Sequence, residues 1–148
     1  MEGSYGAAMP GCTVRFHRPV GVVFDYLSDP ARRPEWQSSL RRVELIGDQR
    51  TGLGARWIDV TWAGLRPELV VVTHEPDEAW AEEGVWRGIS AYLALMFSAE
   101  GEECDVTALA KVRGRGLARG PAALATLAAP WALRSDLRRA DRILTRRQ

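Results

Sequence analysis

The chain has 148 residues, enough for one domain with its own core and no need of disulfide staples. Apolar residues make up 46%, charged residues 26%, and the formal net charge is +1, which excludes a disordered chain and gives no global field favouring nucleic acid. The charge is uneven: residues 1–110 carry ten basic and seventeen acidic side chains, residues 111–148 ten basic and two acidic, and the ordinary reading of that basic end is a solvated helix face.

Cys12 and Cys104 are the only cysteines and lack metal-ligand spacing, so free thiols in a reducing cytoplasm are expected. Residues 1–11 have neither the basic nor the apolar region of a signal peptide and read as a flexible tail before a single domain over 12–148. No apolar run is long enough to insert across a membrane. Thr13–His17 alternates and predicts a strand. Pro19 suits the first turn of a helix over Val20–Leu27, with Val22, Val23, Tyr26 and Leu27 as its apolar face. Asp29-Pro30 ends it, because the residue before proline avoids the helical region, and a second short helix is expected over Ala31–Trp36.

Strands are expected at Arg42–Ile46, Arg56–Trp62, Glu68–His74, Trp80–Trp86, Ile89–Phe97 and Asp105–Val112, with short turns such as Pro76-Asp77-Glu78 between them, the spacing of an antiparallel meander. The last third changes to a helical period. Leu124, Leu127 and Trp131 share one face, Leu137, Ala140 and Leu144 another, and Pro130 stands where it should kink or split the helix. An antiparallel sheet of this size cannot bury its concave face by itself. The long helix is the element available to cover it, and a curved sheet gripping a helix leaves a cavity between them.

The segments PVGVVFDYLSDPARRPEW (19–36), GLGARWIDV (52–60) and VVTHEPDEAW (71–80), in this order before a closing helix, resemble the polyketide cyclase/dehydrase branch of the START-like superfamily, also called the helix-grip or Bet v 1-like fold. The resemblance spans about residues 12–148. It implies an α+β fold in which a curved antiparallel sheet of about seven strands wraps a long C-terminal helix, with two short helices after the first strand. It also implies a hydrophobic small-molecule ligand. It does not choose the chemistry, because the fold hosts cyclases, dehydratases, lipid carriers and hormone receptors. No zinc pattern, nucleophile elbow, P-loop or dinucleotide fingerprint occurs, so neither a metal nor a bound cofactor is expected.

Strand alternation nominates the cavity residues. If Trp80 points inward, so do Glu82, Gly84 and Trp86. Family position puts Trp57 and Asp59 on the inner face, His74 near the mouth and Trp36 at the entrance. Tyr92 is a candidate from the neighbouring strand, whose phase stays open because Ile89–Phe97 is apolar on both faces; its outer face is a candidate homodimer contact. Cyclisation and dehydration of a polyketone needs a substrate folded in an apolar pocket, a base beside a carbonyl, and a donor for the enolate oxygen. His74, Asp59 and Glu82 are the candidate acids and bases. Arg56, Arg87 and Tyr92 are candidate donors, and Trp36, Trp57, Trp80 and Trp86 a candidate aromatic wall. A carboxylate walled by Trp80 and Trp86 would have a raised pKa. Each residue also has a plainer role, as a rim side chain, a surface ion pair or core packing. Arg113, Arg115 and Arg119 form a basic loop, a candidate contact for a carrier protein. Three functions stay open: a cofactor-independent cyclase or dehydratase, a non-catalytic carrier of a lipid, quinone or other apolar ligand, and an interaction module using the basic C-terminal helix.

Overall fold

The structure is a computed structural model that describes residues 11–147. The tail expected over 1–11 lies outside the described residues except for Gly11, which belongs to the first strand.

That strand, β1 (Gly11–Phe16), turns Cys12, Val14 and Phe16 to the core and exposes the residues between. Pro19, with φ −59°, leads into α1 (Val20–Leu27), which buries Val23, Phe24, Tyr26 and Leu27, while Val22 is only partly covered. The Asp29 carboxylate accepts the Ala31 N–H at 3.1 Å and starts a 3-10 turn, Pro30–Arg32, that runs into α2 (Arg33–Trp36). Six strands follow: β2 (Leu40–Ile46), β3 (Arg56–Thr61), β4 (Glu68–Glu75), β5 (Ala79–Trp86), β6 (Ile89–Glu100) and β7 (Glu103–Gly114). With β1 they make one antiparallel sheet in the order β1-β7-β6-β5-β4-β3-β2. The β6–β7 hairpin is longer than its apolar run suggests. It pairs from Ile89↔Gly114 to Glu100↔Glu103, across a two-residue turn that Gly101 opens at φ 63°.

At Gly114 the chain leaves the sheet. A Cβ there would stand 2.2 Å from the Ala118 carbonyl oxygen, so the corner needs glycine. A 3-10 turn, Gly116–Ala118, then leads into α3 (Arg119–Arg146). Pro130 does not split this helix, which runs unbroken through it although proline lacks the N–H that would meet the Thr126 carbonyl.

The two halves of α3 present opposite faces. Leu137, Ala140 and Leu144 share one face, as their spacing predicts, and are buried in the half of α3 that packs on the sheet and α2. Leu124, Leu127 and Trp131 instead point to solvent, with 68%, 70% and 79% of their surface exposed, so this half of the helix covers the sheet with a different face. Spacing says which residues share a face, not which face turns inward. Here the inward face is made of small residues, among them Ala122, Ala125 and Ala129.

Candidate functional site

Arg33 is 3% exposed and organises the interior polar site. It opens α2, and the α2 backbone aims it across the sheet. Its Nε and Nη2 donate to the two oxygens of Asp59 at 3.2 and 2.9 Å, and its Nη1 donates to Glu82 Oε1 at 2.8 Å. Nη2 also reaches Gln37 Oε1 at 3.3 Å. Four of its five N–H groups are thus engaged among the described residues, and one on Nη1 remains. Asp59 additionally accepts the Trp57 indole N–H at 2.9 Å. The guanidinium lies 5.1 Å from the Trp57 ring centroid, and Trp57 in turn stacks on Trp80 with centroids 6.3 Å apart.

One cation faces two carboxyl groups, and the balance falls on Glu82. Burial, with Asp59 adding to it and Arg33 opposing it, pushes the Glu82 carboxyl up to about 7. Its Oε2 is inaccessible and has no hydrogen-bond partner among the described residues, which is the environment of a group that carries a proton near neutrality.

The cluster stands at the end of a groove between the sheet and α3. An inner compartment of about 320 Å³ is lined by Arg33, Asp59 and Glu82 on one side and by Ala129, Ala132 and Leu133 on the other. An outer compartment of about 360 Å³ runs from Gly84, Ala91 and Val112 to Trp86, Ile89 and Pro121, and its lining is almost wholly apolar. Pro67, Gly84, Ala91 and Val112 border both, so the two are continuous. The small side chains of α3 hold this space open: a leucine at Ala129 would occupy it.

Asp59 and Glu82 both lie on the inner face, and Glu83 is the exposed neighbour, as alternation predicts. Trp57 and Trp80 form the packed wall behind the cluster, and Trp86 lines the outer compartment. Other candidates stand elsewhere. His74 packs edge-on against Phe24 with ring centroids 5.2 Å apart and does not line the groove. Trp36 is 1% exposed in the core rather than at an entrance. Arg56 is on the outer surface, paired with Glu68 at 3.1 Å. Arg87 sits at the exposed β5–β6 tip, 5.0 Å from the Trp86 ring. Tyr92, paired opposite Glu83 and Lys111, does border the inner compartment, between Ala91 and Leu93.

Sequence reading missed two charged lining residues of the inner compartment, Arg33 and Asp136. Arg33 stands one helical turn from Trp36 and Gln37, a spacing that could have assigned it to the buried side of α2. Asp136 precedes the buried Leu137 and accepts the Ser38 N–H and hydroxyl at 3.3 and 3.0 Å; burial raises its carboxyl above the usual range. Among the described residues no group of three His, Cys, Asp or Glu side chains could hold a metal ion, and no helix is long and apolar enough to cross a membrane.

Seven antiparallel strands gripping a long C-terminal helix, with two short helices after the first strand and a groove beneath the long one, define a helix-grip protein of the START-like class. The chain belongs to the family described as "Polyketide cyclase / dehydrase and lipid transport", whose model matches residues 12–147. Its fold is similar to that of a START superfamily protein from Mycobacterium smegmatis, with TM-score 0.76, 10% identity, and 95% of this chain and 99% of that one covered. It is similar to norcoclaurine synthase from Thalictrum flavum, solved with dopamine and hydroxybenzaldehyde, at TM-score 0.71 and 9% identity over 95% and 87% of the two chains. It is also similar to the di-domain ARO/CYC BexL of the BE-7585A biosynthetic pathway, at TM-score 0.70 and 13% identity, covering 90% of this chain and 45% of that one. No curated protein matches the chain.

Proposed function

We propose that this protein binds an apolar, oxygen-bearing small molecule in the groove under α3 and catalyses its cyclisation or dehydration, with Glu82 as the general acid–base. The observation that carries this reading is the state of Glu82: a groove-lining carboxyl raised to about 7, with one oxygen fixed by Arg33 and the other unpartnered. A group with that pKa gives and takes a proton with similar ease at neutral pH. Asp59 and Trp57 hold Arg33 in place, and the remaining Arg33 N–H is the candidate donor to an enolate oxygen. The apolar outer compartment would fold and desolvate the substrate. His74 has no part in this mechanism. The family description and the fold shared with an ARO/CYC and with norcoclaurine synthase support the reaction class.

The test is turnover of a synthetic poly-β-ketone thioester by wild type and Glu82→Gln. The variant should lose about tenfold or more in kcat, while binding of a fluorescent apolar dye is retained. Unchanged turnover would remove Glu82 from the mechanism. A second reading, a non-catalytic carrier, is favoured by one observation: nearly the whole outer compartment is apolar. It prevails if native mass spectrometry finds an apolar ligand that co-purifies and no substrate is converted by wild type.

A further inference from the structure

Ten large apolar side chains are exposed among the described residues, and six of them belong to the groove end of the sheet and to α3 with its leading turn. Leu65 and Val85 line the outer compartment, 39% and 62% exposed, and Leu117, 100% exposed, lies in the 3-10 turn that leads into α3. From there Leu124, Leu127 and Trp131 extend as one stripe along α3, at a spacing of three and four residues. The charge of this segment is one-sided, although Glu83 on β5 lines a surface pocket with Lys111 and Arg113. Residues 106–135 contain Lys111, Arg113, Arg115, Arg119 and Arg134 and no Asp or Glu, and Arg87 adds a further cation at the adjacent hairpin tip.

We infer that this end of the molecule docks on an anionic lipid bilayer surface, with the Leu124–Leu127–Trp131 stripe in the interfacial layer and the arginines among the headgroups. A helix face of leucine and tryptophan bordered by arginine has the pattern of an interfacial helix, which lies on a bilayer without spanning it. A second copy of the chain is a poorer occupant. A two-fold contact through this face would set the cations of one protomer against those of the other, with no carboxylate in the segment to offset them. The groove mouth lies on the same end, between Leu65, Trp86 and Pro121, so a docked molecule exchanges an apolar ligand with the lipid phase and not through water. Docking requires nothing of the Glu82 chemistry, and a failure of either idea leaves the other standing.

Co-sedimentation of the full chain with extruded vesicles tests this. Vesicles of phosphatidylcholine with about 30% phosphatidylserine should bind the protein at least about tenfold more tightly than phosphatidylcholine alone, and less so as salt is raised. Leu124→Ser/Leu127→Ser/Trp131→Ser should lose at least about tenfold in binding. Its thermal midpoint should stay that of wild type, since all three side chains are exposed, and Glu82→Gln should bind as wild type does. Equal binding to neutral and anionic vesicles, no binding at all, or full binding by the triple variant overturns the proposal. So does sedimentation equilibrium showing a wild-type dimer that the triple variant dissolves, which would make a second copy the occupant.

Discussion

The two halves of α3 use one helix and one sheet to opposite ends. In the C-terminal half, Leu137, Ala140 and Leu144 are part of the buried core cluster. Polar ties from outside fix the fit: Arg18 donates to the Leu144 carbonyl at 2.9 Å, the His17 N–H to Asp141 at 2.9 Å, and Arg139 to the Glu35 carbonyl at 3.0 Å. In the N-terminal half the side chains facing the sheet are small, chiefly alanines with Thr126, the large ones face outward, and a groove stays open. A binding cavity here needs no special element, only a change in side-chain volume along a helix whose path is set at its other end.

The sharpest way to break this contrast is at the seam between core and groove. Arg33→Met leaves Asp59 and Glu82 buried without their cation, and urea unfolding should show a loss of about 3–5 kcal/mol. The combined variant Arg33→Met/Asp59→Leu/Glu82→Met should recover most of that loss, because apolar groups of similar volume replace the whole network. A small cost for the single variant would mean that the cluster is better hydrated than its burial indicates. Within the helix itself, Leu137→Ala should cost about 2–5 kcal/mol by opening a cavity in packed core. Ala129→Leu should change stability by less than about 1.5 kcal/mol, since it fills space already present, yet weaken apolar dye binding about tenfold or more. Equal stability losses for the pair would erase the distinction between the halves.

The smallest effect is the pH dependence contributed by Glu82. Its ordinary value is 4.5 and its value in the fold about 7, so between these the native state holds a proton that the unfolded chain has released. Unfolding then becomes easier as pH rises: the contribution is fully present below about 4.5 and lost through about 7. The difference in unfolding free energy between wild type and Glu82→Gln should therefore fall from pH 5 to pH 8. A rise would mean that the Arg33 ion pair outweighs burial at this carboxyl.

Much of this architecture is legible in the sequence. The proline-led α1, the Asp29-Pro30 break and the run of short strands suffice for the fold, and period-two alternation from Trp80 places Glu82 inward. What alternation cannot supply is a phase where both faces are apolar, so on β6 Ala91 and Leu93, which border the groove on either side of Tyr92, could not be picked out. Helical spacing has the same blind spot for direction. Leu124, Leu127 and Trp131 form a face by any count, but only the packing of α3 on the sheet decides that it turns away. Arg33 was hidden for another reason: an arginine in a polar-looking turn reads as solvated until two carboxylates from β3 and β5 are seen to enclose it.

That outward direction is held by a clasp. Beyond the Gly11↔Leu109 pair, where the β1 ladder ends among the described residues, the Thr126 hydroxyl accepts the Val112 N–H and donates to the Val112 carbonyl, both at 2.9 Å. A single hydroxyl engaged twice with one residue acts as a torsional lock. For α3 to roll about its axis and hide its leucines, both contacts with β7 would have to break together. The greasy flank of the helix is thus locked into view by a threonine on the opposite flank.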